Sequence, residues 1–389
     1  MKEKQNLKNF KIALVTHEYA TGPSHSLETY LRDKSKNLFF IAHPFVFAKD
    51  IRSHYRFYGH NGKLLDEKFA ARFFRIQTLS LLKDLFLSFY WLSKKPPFDV
   101  FIGVDNINVF LGVIFKKLGR VKKIVFYTID YIPNRFENKI INTIYHFLDR
   151  FAVKHSDIVW NLSPVMQQER EKRGVPTQYK KKQIVVPVGT ENNIRDVSFN
   201  KIKRFHLAHM GHLTKKQGVQ TVLRAIPFIV KRIPNFHFDI LGGGDYESDL
   251  KKLVSELNIQ KYVTFHGYIK SHFELEKKLS SCSLAIAPYV NEKNNFIRYT
   301  DPGKVKAYLA AGLPIVITKV PPVWRELEKN KCGVGVSDDF KKIAKVVATL
   351  MLDTDKLKLY RKNARKMSKE FSWEKVFGKA IQLTVNLFN

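Results

Sequence analysis

Side chains able to move protons or hold phosphate recur at one kind of place in this chain, just after a run of β-branched and aromatic residues. Asp105 follows "DVFIGV" and Asp130 follows "IVFYTI". A carboxylate so placed can accept a hydroxyl proton or orient a sugar acceptor. The competing use is N-capping of the helix that follows. His25, in "HEYATGPSHS", and His212, in "GHLTKKQG", stand in similar loops. Either can touch a substrate, and either can be a packing histidine. No pair among the thirteen histidines has the spacing of a zinc site.

Phosphate chemistry has three candidate seats. In "TDPGKVKAYLAAGLPIVIT", residues 300–318, Asp301 suits an N-cap and Pro302 the first helical turn. A short helix over 304–311 is predicted, stopped by Gly312 and Pro314. So short a helix, ending in Ala310 and Ala311, buries little bulk, which makes its N-terminus either an anion site or a packing detail. In "GHLTKKQGVQTVLRA", Gly211 precedes Lys215 and Lys216 at the start of a helix. Cations there oppose the helix dipole, and a bound anion would resolve the conflict. Solvated lysines are the alternative. In "LGGGDYESDL", the run around Gly243 allows close approach to phosphate or simply a tight turn. It is not a dinucleotide fingerprint, because the third glycine of that motif would fall at Glu247.

Strand-like runs alternate with helical ones almost throughout, among them helices predicted over 139–155 and 219–231. The pattern predicts parallel sheets with crossover helices. It occurs twice, joined by a polar, strand-poor stretch at about 190–203. Two Rossmann-like α/β domains facing each other across a cleft follow, at residues 1–195 and 196–372. A closing amphipathic helix over 373–389 is read as completing the first. In such folds ligands bind beyond the carboxyl ends of the strands, and the candidates above all lie there.

The chain has 389 residues, 44% of them hydrophobic, and a net charge of +32. That charge attracts phosphorylated substrates, anionic lipid or nucleic acid, unless lysine is merely the preferred surface residue. No recognised nucleic-acid motif is present. P-loop and serine-nucleophile signatures are absent too. Two cysteines, Cys282 and Cys332, make no disulfide framework and suggest a reducing compartment. A signal peptide and a membrane span are not evident, so a cytoplasmic protein is expected. "LSLLKDLFLSFYWLSKK", residues 79–95, reads either as a buried helix or as a helix at the inner face of a membrane, with Phe86, Phe89, Tyr90 and Trp91 on its apolar side.

Four segments of the second half occur in a familiar order and spacing: "GHLTKKQGVQTVLRA", "LGGGDYESDLKKLVSELNIQKYVTFHGYI", "SLAIAPY" and "DPGKVKAYLAAGLPIVIT". Together they resemble the nucleotide-sugar domain of GT-B glycosyltransferases of the glycosyl transferase group 1 type. The first half is similar in layout only. The resemblance implies transfer of a sugar from a nucleoside-diphosphate sugar to a glycan or lipid-linked acceptor, with retention and without metal or other cofactor. The base would sit at Tyr268 and Ile269, and the diphosphate on Gly211 and on the helix start at Asp301, Pro302, Gly303 and Lys304. The acceptor would bind near Gly22, Asp105 and Asp130, and His25, by its own place after a strand, is the further catalytic candidate. Three departures accompany it. The paired glutamates of the family fall at Tyr299 and Ala307. The arginine and lysine that grip the diphosphate fall at His212 and Gln217, leaving Lys215, Lys216, Arg298 or Lys304 as substitutes. Ile129 stands where a histidine is common. An inactive GT-B binding partner is the alternative reading, and a GT-B epimerase or phosphorylase a weaker one.

Overall fold

The computed structural model describes residues 7–18, 22–48, 50–72, 77–191, 197–293 and 295–388. The chain divides into two compact units, residues 1–187 with 373–389, and residues 188–372.

The first unit runs β1 (Lys11–Glu18), α1 (Pro23–Arg32), β2 (Asn37–Pro44), β3 (His54–Tyr58), β4 (Leu64–Phe69), α2 (Gln77–Ser93), β5 (Phe98–Val104), α3 (Asn106–Lys117), β6 (Val121–Thr128), α4 (Lys139–His155), β7 (Ile158–Asn161), α5 (Pro164–Lys172) and β8 (Gln183–Val185). The strands form one sheet in the order β4-β3-β2-β1-β5-β6-β7-β8. Six of them pair in parallel, as the alternation of strand and helix predicts. The other two do not. β3 and β4 make an antiparallel hairpin on the edge, closed by a bond from the Gly59 N–H to the Lys63 carbonyl. The sequence concealed β4, because all six of its residues are exposed and it carries no apolar face.

The second unit runs β9 (Lys203–Met210), α6 (Val219–Val230), β10 (His237–Leu241), α7 (Glu247–Glu256), β11 (Val263–Phe265), α8 (His272–Ser281), β12 (Cys282–Ala287), α9 (Gly303–Ala310), β13 (Ile315–Thr318), α10 (Trp324–Lys329), β14 (Gly333–Val336), α11 (Phe340–Leu352) and α12 (Thr354–Ser368). Its sheet is wholly parallel, in the order β11-β10-β9-β12-β13-β14. Successive side chains of a strand point to opposite faces. Leu207 therefore packs with Val222, Ile226 and Val347 on one side, while Ala208 packs with Val305, Leu309 and Ile317 on the other. Each such side chain, once buried, contributes roughly 1.5–3 kcal/mol.

The last helix, α13 (Trp373–Val385), packs against α1 of the first unit. The join to the second unit lies a few residues before the position read from polarity. The Val188 N–H already bonds the Asp301 carboxylate at 2.9 Å, and Thr190 pairs with Ser372.

In each sheet the strand order reverses once, between β1 and β5 and between β9 and β12. Chains leaving neighbouring strands in opposite directions open a crevice at such a point, and ligands bind there.

Candidate functional site

At the β1/β5 reversal the first unit holds a cavity of about 240 Å³. His17, Asp105, Asp130, Arg135 and Asp149 are the ionisable acids and bases of its polar lining beside Asn106, Thr128 and Tyr145, and Leu81, Ile107, Ile141, Ile144 and Leu148 form much of its apolar wall. Asp105 leaves β5 with φ 76° and ψ 155°, a conformation almost confined to glycine. Its side chain does not cap α3. No hydrogen bond to its carboxylate is found among the described residues, which removes the N-capping alternative. Burial pushes its pKa up, with His17 and Arg135 opposing. A strained, unpaired carboxyl held less acidic than usual is suited to accepting a proton.

Asp130 lines the same cavity but is not free. Its Oδ2 takes an N–H from Arg135 at 2.7 Å, and the Arg135 guanidinium lies 5.4 Å from the centre of the Tyr145 ring. Asp130 thus holds a cation at the cavity wall. His25 sits elsewhere. Its Nδ1 accepts the Gly22 N–H at 3.3 Å, so its Nε2–H donates to Glu18 at 2.7 Å. Burial raises the Glu18 pKa, yet this bond and the neighbouring cations bring it net below the usual value. Gly22 is the N-cap of α1 with an extended φ of −149°. In this structure the pair forms a helix-starting turn, not a free base beside a ligand. Residues 19–21 of that loop lie outside the described residues.

His17 was not singled out in the sequence. It is buried, lies 3.5 Å from Asp84 and 3.2 Å from Asn108, and lines the cavity. Arg135 was likewise overlooked, inside "DYIPNRF". The usable signal was the one that marked Asp105: both follow, or end, a strand at the carboxyl edge.

At the β9/β12 reversal the second unit centres on Lys304, in the first turn of α9. Its ammonium donates to Gln217 Oε1 at 2.6 Å and lies 5.3 Å from the centre of the Tyr289 ring. Gly211 follows β9 at φ +131°, and a Cβ there would come within 2.9 Å of the same ammonium. Among the described residues no carboxylate pairs with Lys304. Burial brings its pKa down to about 7. Beside it, buried His209 donates from Nδ1 to the Ile286 carbonyl at 3.3 Å, and its Nε2 has no partner among the described residues. Burial and the Lys304 charge both keep this ring neutral. The Tyr289 hydroxyl is also buried, with no partner among the described residues. Buried polar atoms are nearly always satisfied. An ammonium with no carboxylate beside it among the described residues, two polar groups without partners there and the free amides of a helix start are surroundings of the kind that anions favour.

The other predicted donor contacts divide. Asp301 is a correction. Its Oδ1 meets Lys306 Nζ at 3.0 Å and its Oδ2 takes the Val188 N–H. Both groups are buried, so the carboxylate secures the fold and is closed to ligand. It is not the N-cap either, since Pro302 caps a helix that begins at Gly303. Arg298 is bound to its own loop, through the Glu292 carbonyl at 2.9 Å and the Asn291 side chain. Lys215 and Lys216 are exposed on a short turn, and His212 is exposed before it. Of the four candidate cations, Lys304 is the one brought against Gly211.

Gly243 belongs to a loop-on-loop contact. Its carbonyl accepts the Leu213 N–H at 3.0 Å. A Cβ on neighbouring Gly242 would lie 2.1 Å from the Gly211 carbonyl oxygen. The triple glycine therefore serves close packing of the Gly211 loop. Gly242 also bonds the Gly267 carbonyl at 2.9 Å, which brings the Tyr268 loop to the same edge. Tyr268 is 79% exposed, while Ile269 packs on the core.

Residues 190–367 match the family model described as glycosyl transferases group 1. An uncharacterized glycosyltransferase of Haemophilus influenzae is 24% identical over 318 residues, 80% of this chain and 84% of that protein. The fold is similar to that of HepE of Anabaena, solved with UDP, at a TM-score of 0.72 and 14% identity over 97% of this chain and 100% of that one. It is similar also to sucrose-phosphate synthase of Thermosynechococcus elongatus, at 0.70 and 15% over 97% and 98%. The chain is a glycosyltransferase of the GT-B fold, and its residues 190–367 belong to glycosyl transferases group 1.

Proposed function

We propose that this enzyme moves a sugar from a nucleoside-diphosphate sugar to a hydroxyl of a glycan or lipid-linked acceptor, with retention of anomeric configuration and without a metal ion. The observation that carries the donor half is the Lys304 ammonium, with no carboxylate beside it among the described residues, against Gly211 and the start of α9. HepE has been solved with UDP-glucose, which supports this class of donor.

In the reaction the bond between the anomeric carbon and the phosphate oxygen breaks, and its electron pair stays on the diphosphate. Lys304 and the α9 amides meet that growing charge, as an oxyanion site would. The acceptor oxygen bonds the anomeric carbon on the face that the diphosphate leaves, which keeps the configuration, and its proton passes to a base. Asp105, whose pKa burial raises and whose carboxylate has no hydrogen bond among the described residues, is suited to that task. Arg135, held by Asp130, meets an anionic part of the acceptor. The cation the leaving group requires is part of this chain, which supports independence from metal.

A thermal-shift panel of nucleotides and nucleotide sugars, run with and without EDTA, tests the reading. One nucleoside diphosphate and its sugar should raise the melting temperature in both conditions. If no nucleotide shifts it, the donor assignment fails and the chain is a binding partner instead. Proton NMR of the product decides between retention and inversion.

A further inference from the structure

Two helices around the first-unit cavity are built inside out. α2 buries Ser80, Asp84 and Ser88, at i, i+4 and i+8, and turns Leu82, Phe86 and Phe89 to the surface. The buried polar stripe is anchored. Asp84 lies 3.2 Å from His43 and accepts from Ser53 at 3.1 Å, and Ser88 meets His43 at 2.6 Å. Trp91, expected on the outer side, is buried among core aromatics. α4 repeats the pattern, with His146 and Asp149 inside and Ile140, Ile144 and Phe147 outside. Phe86 is 67% exposed and Ile140 72%. α3 packs between the two helices.

A soluble surface helix shows the opposite polarity, and a run of exposed apolar side chains marks an interaction site. Charge narrows what covers it. The acidic residues of α2, α3 and α4 are Asp84 and Asp149, both buried. The outward charges are basic, among them Lys117, Lys139 and Lys154. Apolar stripes with lysines and no carboxylate complement an anionic lipid surface. The face also continues inward, because exposed Ile141 and Ile144 line the cavity with Leu81, Ile107 and Leu148.

We propose that this face docks on an anionic bilayer and that the cavity takes the first hydrocarbon units of a lipid-borne acceptor, whose polar end reaches Asp105 and Arg135. This rests on the acceptor half of the function proposed above.

Flotation of the full chain tests the dock. Recovery with phosphatidylglycerol vesicles should exceed that with phosphatidylcholine at least tenfold. Phe86→Ser with Phe147→Ser should lose it at least tenfold, with an unchanged melting temperature. Equal recovery of variant and wild type overturns the dock, since charge alone would then explain binding. A dimer that the same changes dissociate, without vesicle binding, assigns the face to a protein interface and overturns it too. For the cavity the probe is a dansylated prenyl phosphate below its micelle concentration. Leu148→Trp and Ile107→Phe should each weaken its binding at least tenfold while flotation persists. Unchanged affinity in both variants overturns the cavity assignment. The nucleotide panel is independent: a chain that binds vesicles and probe but no nucleotide refutes the donor reading and leaves this inference standing.

Discussion

The ammonium of Lys304 is held by the amide oxygen of Gln217, 2.6 Å away, and by no carboxylate among the described residues. Burial leaves it a pKa of about 7, so the free enzyme is half protonated there near neutral pH. A bound diphosphate stabilises the charged form and raises that pKa. Donor affinity should therefore fall as pH rises above 7, by up to tenfold per unit until the pKa of the complex is passed. Calorimetry at pH 8 in buffers of different ionisation enthalpy should show proton uptake on binding. Lys304→Met should abolish that uptake.

Asp105 combines a glycine-like backbone with a carboxyl that has no hydrogen-bond partner among the described residues. Such a conformation costs about 1–3 kcal/mol. Asp105→Gly should raise the unfolding free energy by about that amount and lower transfer at least a hundredfold, with donor affinity unchanged. Denaturant melts and turnover assays read the two effects. Transfer by the wild type should also fall with acidification at a higher pH than an ordinary aspartate would give, because burial raises this pKa.

The Asp301–Lys306 pair is buried on both sides. Removing one partner of such a pair strands a charge and costs roughly 3–5 kcal/mol. Asp301→Ala should show that loss in a urea melt, yet the folded fraction should bind donor as the wild type does. A drop in affinity at unchanged stability would make Asp301 a ligand after all.

His43 anchors α2 through Asp84, and burial lowers its pKa to about 4. The unfolded chain binds the extra proton between about pH 6.5 and pH 4, so stability falls as pH drops through that window. Asp84, held well below the usual carboxylate range against its own burial by His17 and His43, adds a further loss only below about pH 4. His43→Gln should flatten the melting temperature between pH 6.5 and pH 4.5.

Local pattern made much of this legible. Strand-helix alternation carried the α/β class, and α4 spans the residues its periodicity predicts. The loops bearing Asp105, Gly211 and Lys304 were marked by their place after strands. What stayed hidden depends on partners distant in the chain. Asp301 looked like a cap until Lys306 and Val188 closed around it. His17 was passed over because its partner Asp84 comes from α2, far along the chain. Trp91 could not be told from Phe86 on an apolar segment, because the buried stripe of α2 is the polar one.

Under the proposed function, Lys304 supplies the positive charge that the family places at the positions of His212 and Gln217. Titration of the wild type and Lys304→Ala with the nucleoside diphosphate found in the panel tests it most directly. Lys304→Ala should lose at least tenfold in affinity with an unchanged melting temperature without ligand, and Lys304→Arg should recover part of that loss. Equal affinity for wild type and Lys304→Ala would contradict it.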